Sequence, residues 1–573
     1  MRNIVENSML GRAWVLADDC NESSLLNQIL CARGITDSEN IKRFLNPTIK
    51  EYMPDPFVLK DMDKAAKLAA DAILSGKKIA VFGDYDVDGI TSTATVVKYL
   101  RALGMDVIWH LPDRESEGYG LNMEAIEDFA NQGANLLISV DCGISGITEV
   151  DRAKELGMQV IITDHHNPET FLPKADAVVN PKRTDDTSGL NYLAGVGVAF
   201  MFLVALNREL RNQGKETQIN LLDYLGFVAL GTICDTMPLI ELNRAFVATG
   251  LKILELCHNI GLCALMEVAG VKKPSVYAVG FAIGPRLNAA GRLDSAAPAL
   301  ELLLTDNILI ARDLAAKLNS MNQERMGIQN QIMLDAIDLA DKSVAAGKCS
   351  LLLCRDGWHG GVMGIIAGRL KDKYNMPTLV ATCDNGMING SGRSIAGVDL
   401  GKIIHDGLIS GILSEGGGHA AAAGFTLSSE NENAFRDFME KAVLEQLNGT
   451  SLKHEFIADA WLNTSGANMK LVRELSSLAP FGQGNPEPLL VLDGGTIAWA
   501  GVMGNGSHLR GNIRSDNGAL LPFVGFNLTS TPVGEFLLDE ANINRKIKML
   551  GRLKENEHNG RVSAQFILED IAI

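Results

Sequence analysis

Between Ile79 and Thr163 the chain repeats one pattern: a short aliphatic or β-branched run, then an amphipathic stretch closed by glycine. The runs are Ile79–Phe82, Val107–Leu111, Leu136–Val140 and Val160–Thr163. The stretches between them are Ser92–Leu103, Met123–Gln132 and Ile147–Leu156, followed by Gly104, Gly133 and Gly157. Strand, helix and strand in alternation build a βαβ sheet with parallel strands, so the pattern, which continues toward Cys234, predicts an α/β domain. The carboxyl ends of such strands line one edge of the sheet, and ligands bind there.

The acids fall at that edge. Ile79–Phe82 runs into Gly83-Asp-Tyr-Asp-Val-Asp-Gly89, Leu136–Val140 into Asp141, and Val160–Thr163 into Asp164-His165-His166; Val228–Ile233, read as a further strand, runs into Asp235. One Asp after a strand is most often a turn or helix-capping residue, and one histidine beside another is most often an ordinary surface or core residue. Asp86, Asp88, Asp141, Asp164, His165, His166 and Asp235 together are different, because like charges a few ångströms apart repel unless cations lie among them. Mixed carboxylate and imidazole donors suit Mn²⁺, Mg²⁺ or Zn²⁺. With only Cys142 and Cys234 as nearby thiols, the harder ions are favoured. The set is too large for one octahedral ion that also keeps water and substrate. Two ions about 3.5–4 Å apart would use it, and such a pair supplies hydroxide at neutral pH and stabilises both oxygens of an in-line displacement at phosphorus. Phosphoester hydrolysis is the chemistry expected.

With 573 residues, about three to five domains are expected. Apolar residues make up 46% and charged residues 21%, which excludes a mainly disordered or fibrous chain. The longest apolar stretch, Leu193–Leu206, is shorter than the roughly 20 residues a membrane span needs and reads as a buried helix. The first residues carry no export pattern, so a cytoplasmic protein is expected. The 9 cysteines occur singly with no Cys-x-x-Cys pair, so reduced, mostly buried thiols are expected and no structural zinc site. A net charge of −17 argues against a wholly basic nucleic-acid surface, although bound cations reverse charge locally. Gly195-Val-Gly197 lacks the third glycine of a dinucleotide fingerprint, and no phosphate-loop Gly-Lys-Ser/Thr occurs.

From Thr305 to about Gly347, Leu314, Leu318, Met321, Ile328, Ile332 and Leu339 recur at helical spacing with no proline, which predicts one long helix joining two domains. Ser350–Cys354 and Thr378–Thr382 then read as strands of a second α/β unit ending in the Gly-rich Gly416–Gly424. Beyond Pro480–Pro488, turns at Gly504-Asn505-Gly506, Asp516-Asn517-Gly518 and Asn559-Gly560 predict a small β-barrel or sandwich.

The motifs Gly83–Gly89, His110-Leu-Pro-Asp-Arg114, Val140-Asp-Cys-Gly143 and Asp164-His-His166 resemble those of the DHH phosphoesterase superfamily. Gly284–Arg292, Trp358–Gly364 and Gly416–His419 extend the resemblance to its branch of 5′→3′ exonucleases specific for single-stranded DNA. The resemblance implies a parallel-sheet DHH domain over 61–304 behind an N-terminal segment 1–60 packing on the core. A long helix follows at 305–347, then a DHHA1-like α/β domain at 348–455 and an OB-fold barrel at 456–573. By the same resemblance Asp86, Asp88, Asp141, His165 and Asp235 bind two Mn²⁺ or Mg²⁺ ions. Asp84 either joins them or orients the loop, His166 contacts the scissile phosphate, and Asp164 fixes an imidazole tautomer. Arg114, Arg286, Ser391 and Arg393 hold the 5′-terminal phosphate, with Arg292 also placed for phosphate. Asn288 and Gly416–His419, including Gly417 and Gly418, contact the strand. Arg114, Arg286, Arg292 and Arg393 all read as lying in loop-like segments. In the barrel, Arg545, Lys546, Lys548, Arg552 and Lys554 form a basic run; Trp461, Trp499, Phe523 and Phe526 are candidate stacking groups, most of them expected in the core.

The expected activity is hydrolysis of single-stranded DNA to 5′-mononucleotides in recombination and repair. The expected protein is a monomer served by a helicase and a single-strand-binding protein, with no membrane partner. Two alternatives stay open: a phosphodiesterase for short oligonucleotides or cyclic dinucleotides, and a non-catalytic strand-binding scaffold.

Overall fold

The computed structural model describes residues 2–17, 24–114, 116–448, 455–558 and 560–573, so Asn559 of the last expected turn lies outside the described residues. The chain divides into two compact units, Pro56–Asp235 with Lys252–Leu452, and Met1–Asp55 with Thr236–Leu251 and Lys453–Ile573. The N-terminal segment thus belongs with the barrel residues.

In the first unit Ile79–Phe82, Val107–His110, Leu136–Val140, Gln159–Thr163 and Ala177–Val179 form a five-stranded sheet, parallel throughout. Val107–His110 is at one edge; the strand that begins the sheet in sequence is next, followed by the third, fourth and fifth. The order reverses between Ile79–Phe82 and Leu136–Val140, and this switch point opens the crevice in which such sheets hold ligands. Both strands are buried along their whole length, as parallel strands covered on both faces must be.

Val228–Ile233 is not a strand. It lies in the helix Leu225–Cys234, buried on every side. An apolar run without alternation is equally a core helix, and with every residue buried it carries no period to tell the two apart. Leu193–Leu206 lies mostly within the buried helix Gly195–Asn212. The long helix spans Ile308–Ala345, 38 residues, capped by the Asn307 side chain. At 1.5 Å per residue it is about 57 Å long. It leads into a second sheet, ordered Glu415–His419, Ala422–Ser428, Met387–Arg393, Thr378–Asp384, Leu351–Cys354. The Gly-rich stretch is therefore an antiparallel hairpin whose first strand forms the sheet edge.

In the other unit Leu490–Met503 pairs with both His508–Ser515 and Lys546–His558, and the remaining pairings through Leu520–Gly525 and Arg561–Ala572 close a five-membered ring. A closed barrel leaves no open edges. Gly504, Gly506 and Gly518 turn it at φ of 69°, 96° and 84°. Trp461, Trp499 and Phe526 are 37%, 41% and 53% exposed, and only Phe523 lies in the core. The core is filled mainly by aliphatic side chains with Phe523 and Phe566. Lys548 sits 5.3 Å over Trp461 and Arg510 5.9 Å over Trp499. Arg552 and Lys554 pair with Glu487.

Among the described residues seven cysteines are free thiols, of which only Cys142 is fully buried, and Cys31 is disulfide-bonded, unlike the reduced state expected. No helix among the described residues is long and apolar enough to cross a membrane.

Arg244 staples the barrel unit. Its guanidinium lies 3.9 Å over the Phe44 ring and donates to the carbonyls of Phe44, Leu478, Ala479 and Pro480 at 3.0, 2.9, 2.8 and 3.1 Å. Removing it takes a charged donor from all four carbonyls, of which Leu478 O and Pro480 O keep Asn485 Nδ2, and empties a buried site, so Arg244→Ala should lower stability by about 2–4 kcal/mol in urea melts followed by tryptophan fluorescence.

Candidate metal centre and arginine cluster

The loop after Ile79–Phe82 turns straight into the helix Val87–Ala102, whose N-cap is Asp86: its Oδ1 accepts from the amides of Asp88 and Gly89 at 2.8 and 3.1 Å. Asp88 on the first turn is buried and points across the crevice, where its oxygens accept from Gly195 N and Val196 N at 2.7 and 2.9 Å. Those amides belong to the first turn of the helix Gly195–Asn212, so a carboxylate there also meets the positive end of the helix dipole.

Asp141 follows the third strand in a left-handed conformation, φ 60°, with its amide held by Thr163 O at 2.9 Å. A non-glycine residue adopts that geometry only when its surroundings enforce it. The turn aims Asp141 at the helix start, where a Cβ on Gly195 would lie 2.3 Å from its Oδ1. Gly231 does the same for Asp88, since a Cβ there would lie 2.5 Å from Asp88 Oδ1. Glycine at 195 and 231 is the space the two carboxylates occupy.

His165 Nδ1 is 3.1 Å from Leu193 O. A carbonyl only accepts, so Nδ1 carries the proton and Nε2 presents its lone pair to the cluster. Nε2 stands 3.1, 3.6 and 3.8 Å from Asp141 Oδ1, Asp235 Oδ2 and Asp88 Oδ2, yet neither it nor Asp141 Oδ1 nor Asp84 Oδ1 has a hydrogen-bond partner. Buried acceptors that face one another with no hydrogen-bond donor beside them are ligand atoms for a cation. Three sets place one ligand atom each within 4.8 Å of the others: Asp84, Asp86 and Asp141; Asp88, His165 and Asp235; and Asp141, His165 and His166. Asp141 is shared, as a residue between two ions would be. Every metal ligand expected from sequence is in these sets, Asp84 included, and the all-oxygen and oxygen–nitrogen donors fit Mn²⁺ or Mg²⁺.

The titration of the centre follows from its dryness. Burial and the charge of Asp86 push Asp88 up to about 7 and, with Asp88, push Asp235 up to about 8; burial and Asp88 also lift Asp141 well above the carboxylate range. Burial and the charge of His166 pull His165 down to about 3, leaving it neutral. Asp164 differs. Burial would raise it, but hydrogen bonds and charges from His166 and His165 hold it below the usual range. Its Oδ1 accepts from the amides of His165 and His166 and from His166 Nδ1 at 2.6, 3.0 and 2.8 Å, and its Oδ2 from Ile144 N at 2.9 Å. Burial opposes the His166 imidazolium, but the Asp164 bond and the charges of Asp164, Asp235 and Asp84 raise it to about 9. Asp164 thus orients His166, whereas the tautomer of His165 is set by Leu193 O. Tyr119, whose hydroxyl is 2.9 Å from His166 Nδ1, is a further partner that no motif signalled.

The arginines lie across the crevice. Arg286, Asn288 and Arg292 are on the helix Gly284–Leu293, and Ser391 and Arg393 on a strand, so among the expected loop arginines only Arg114 is in one. Proline in a first helical turn is compatible with helix, which is why Gly284-Pro-Arg misled. Arg292 donates to Gly361 O at 2.8 Å, and burial together with Arg114, Arg325 and Arg393 pulls its pKa down to about 10. Arg393 Nη1 donates to Ser391 Oγ and Gly392 O at 3.1 and 2.7 Å. Among the described residues, buried Arg325 bonds only the neutral side chains of Asn322 and Gln329. Arg286 turns aside, to Asn319 Oδ1 and Ala282 O at 3.0 and 2.7 Å. Gly417, Gly418 and His419 are on the exposed edge strand. Arg114, Arg292, Arg325 and Arg393 therefore crowd together with neutral partners, which is the arrangement of an anion site.

Asp88 and Asp235 are raised acids, so the metal-free fold binds protons that the unfolded chain releases, and their contribution to stability falls as pH rises from about 4 to 8. His166 adds to the fall, its contribution being lost as pH rises through about 9. A cation must displace those protons. The rise in melting temperature on adding Mn²⁺ should therefore be larger near pH 8 than near pH 5.5, by scanning fluorimetry; an equal rise at both would count against a carboxylate centre. Gly195→Ala should weaken Mn²⁺ binding at least about 10-fold by calorimetry, because the methyl group takes the place of Asp141.

Residues 78–232 match the DHH family, N-terminal domain, residues 341–445 the DHHA1 domain, and residues 458–570 the RecJ OB domain. The single-stranded-DNA-specific exonuclease RecJ of Escherichia coli strain K12 is 36% identical over 564 residues, 96% of this chain and 95% of that protein. The crystal structure of RecJ from Thermus thermophilus in complex with Mn²⁺ superposes with a TM-score of 0.79 at 30% identity, over 96% of this chain and 75% of the other. The Mg²⁺ complex from the same source gives 0.74 at 29%, over 96% and 74%. With three matching domains and near-complete coverage, the chain belongs to the RecJ family of the DHH superfamily.

Proposed function

We propose that the chain is a metal-dependent exonuclease that hydrolyses single-stranded DNA from the 5′ end to 5′-mononucleotides, in recombination and repair. The observation that carries this reading is the pairing of two clusters: buried acceptors without hydrogen-bond partners at the sheet edge, and guanidiniums that have no carboxylate partner among the described residues. Asp84, Asp86, Asp88, Asp141, His165 and Asp235 would hold two Mn²⁺ or Mg²⁺ ions. When bound, these supply hydroxide at neutral pH and offset charge at the phosphorus.

The chain's own residues do the rest. Asp164 keeps His166 an imidazolium, so His166 Nε2–H donates to an oxygen of the scissile phosphate while Nδ1–H stays with Asp164. Arg114, Arg292, Arg393 and Ser391 take the terminal phosphate, with Arg286 and Asn288 on the same helix as Arg292 and Gly417, Gly418 and His419 against the strand. Strand choice comes from the passage between the metal-bearing sheet and the second sheet. Barrel residues Trp461, Trp499 and Phe526 receive bases of a longer strand, which favours a polymer over a cyclic dinucleotide. A complete donor set argues against a scaffold. The protein acts as a monomer in the cytoplasm, with a helicase and a single-strand-binding protein supplying substrate.

Digestion of 5′- and 3′-labelled single and double strands with Mn²⁺, Mg²⁺ or chelator tests polarity, strand choice and metal need together. Asp141→Ala should lower cleavage at least about 10³-fold while leaving the circular dichroism spectrum unchanged; cleavage at the original rate would remove the mechanism.

A further inference from the structure

Two of the most exposed large side chains in the metal-bearing unit are aromatic and in contact. Tyr277 and Phe281 are 73% and 72% exposed, and their rings stack with centroids 4.8 Å apart and planes inclined by 28°. They lie on Val276–Ala278 and on the π-helical turn Val279–Ile283, which runs directly into the helix Gly284–Leu293. Such widened turns are rare and concentrate at functional sites.

The segment is pressed against the metal centre at both ends. A Cβ on Gly284 would lie 2.4 Å from Cys234 Sγ, next to Asp235, and one on Gly291 would lie 2.8 Å from Tyr85 O, between Asp84 and Asp86. Gly280 lies close to Ile233. The aromatic pair therefore stands within two turns of the Asp235 end of the centre. Cationic groups bracket it: Arg286 binds Ala282 O, next to Phe281, and Lys272 and Lys273 on the preceding loop are both exposed. Flat π faces flanked by positive charge, continuous with a phosphate-cleaving centre, match the alternation of base and phosphate in a nucleic-acid strand.

We infer that Tyr277 and Phe281 form a stacking platform for nucleobases of the DNA strand entering the metal centre. This rests on the nuclease reading above. An unpaired strand can splay its bases and present their faces along its length, whereas inside a duplex each face is covered by its neighbours. The platform adds grip on single strands without reading sequence, since every base has a π face.

Binding of a 5′-phosphorylated single strand is read by fluorescence anisotropy with Ca²⁺ in place of Mn²⁺, so that affinity is measured without turnover. Tyr277→Ala with Phe281→Ala should weaken it about 5- to 100-fold, the range for loss of one stacked base, while Tyr277→Phe with Phe281→Trp keeps it. A strand made abasic along its length should bind the unsubstituted protein more weakly, and the double alanine variant should lose less on the same change. Unchanged affinity in that variant, or an undiminished response to base removal, overturns the platform. Base-dependent binding that persists while Mn²⁺ supports no strand cleavage overturns the nuclease reading alone.

Discussion

Carboxylates confined to a dry crevice repel one another, and the first unit is organised to confine them. Asp88, Asp141 and Asp235 come from a helix start, a left-handed turn and a helix end, three local structures with nothing in common except the point they face. Glycine at 195 and 231 removes the side-chain atoms that would keep two of them away. A fold that sought only stability would separate these charges, or pair each with a cationic side chain as Arg183 is paired with Asp61 and Asp185. Leaving acceptors buried and unpartnered is tolerable only if divalent ions complete the structure, and so the fold and the chemistry have one cause.

The histidines show how finely the surroundings divide two adjacent side chains. His165 donates its Nδ1–H to a carbonyl and stays neutral, with Nε2 left as an acceptor. His166 donates its Nδ1–H to a carboxylate and stays charged. Neither role is a property of histidine as such. Each is fixed by what lies behind the ring.

Much of this could be read from the chain before any coordinates. Strands that end in acids give themselves away, because alternation of runs and glycine-stopped helices sets a parallel sheet and the sheet sets the edge. The features that could not be read are tertiary. Asp235 was placed at the edge for the wrong reason, since a uniformly apolar run carries no period to tell a core helix from a strand. Leu193 acts through its backbone carbonyl, to which its side chain is irrelevant. Tyr119 and Arg325 reach their partners from a loop and a distant helix, and only the folded chain shows Arg325 joining Arg114, Arg292 and Arg393. Exposure of Trp461 and Trp499 was equally hidden, since an aromatic residue in a strand looks the same on either face of a barrel.

An acidic protein that takes a polyanion must make its attraction local. The chain carries a net charge of −17, so long-range steering works against the substrate and falls off within about 10 Å at ordinary ionic strength. Inside that distance two regions suit an anion, the acid cluster once divalent ions occupy it and the arginines beside it. They are not equivalent. An internal phosphodiester has two free oxygens and one charge, whereas a terminal phosphate has three and close to two charges at neutral pH, so crowded guanidiniums favour a strand end over an internal position.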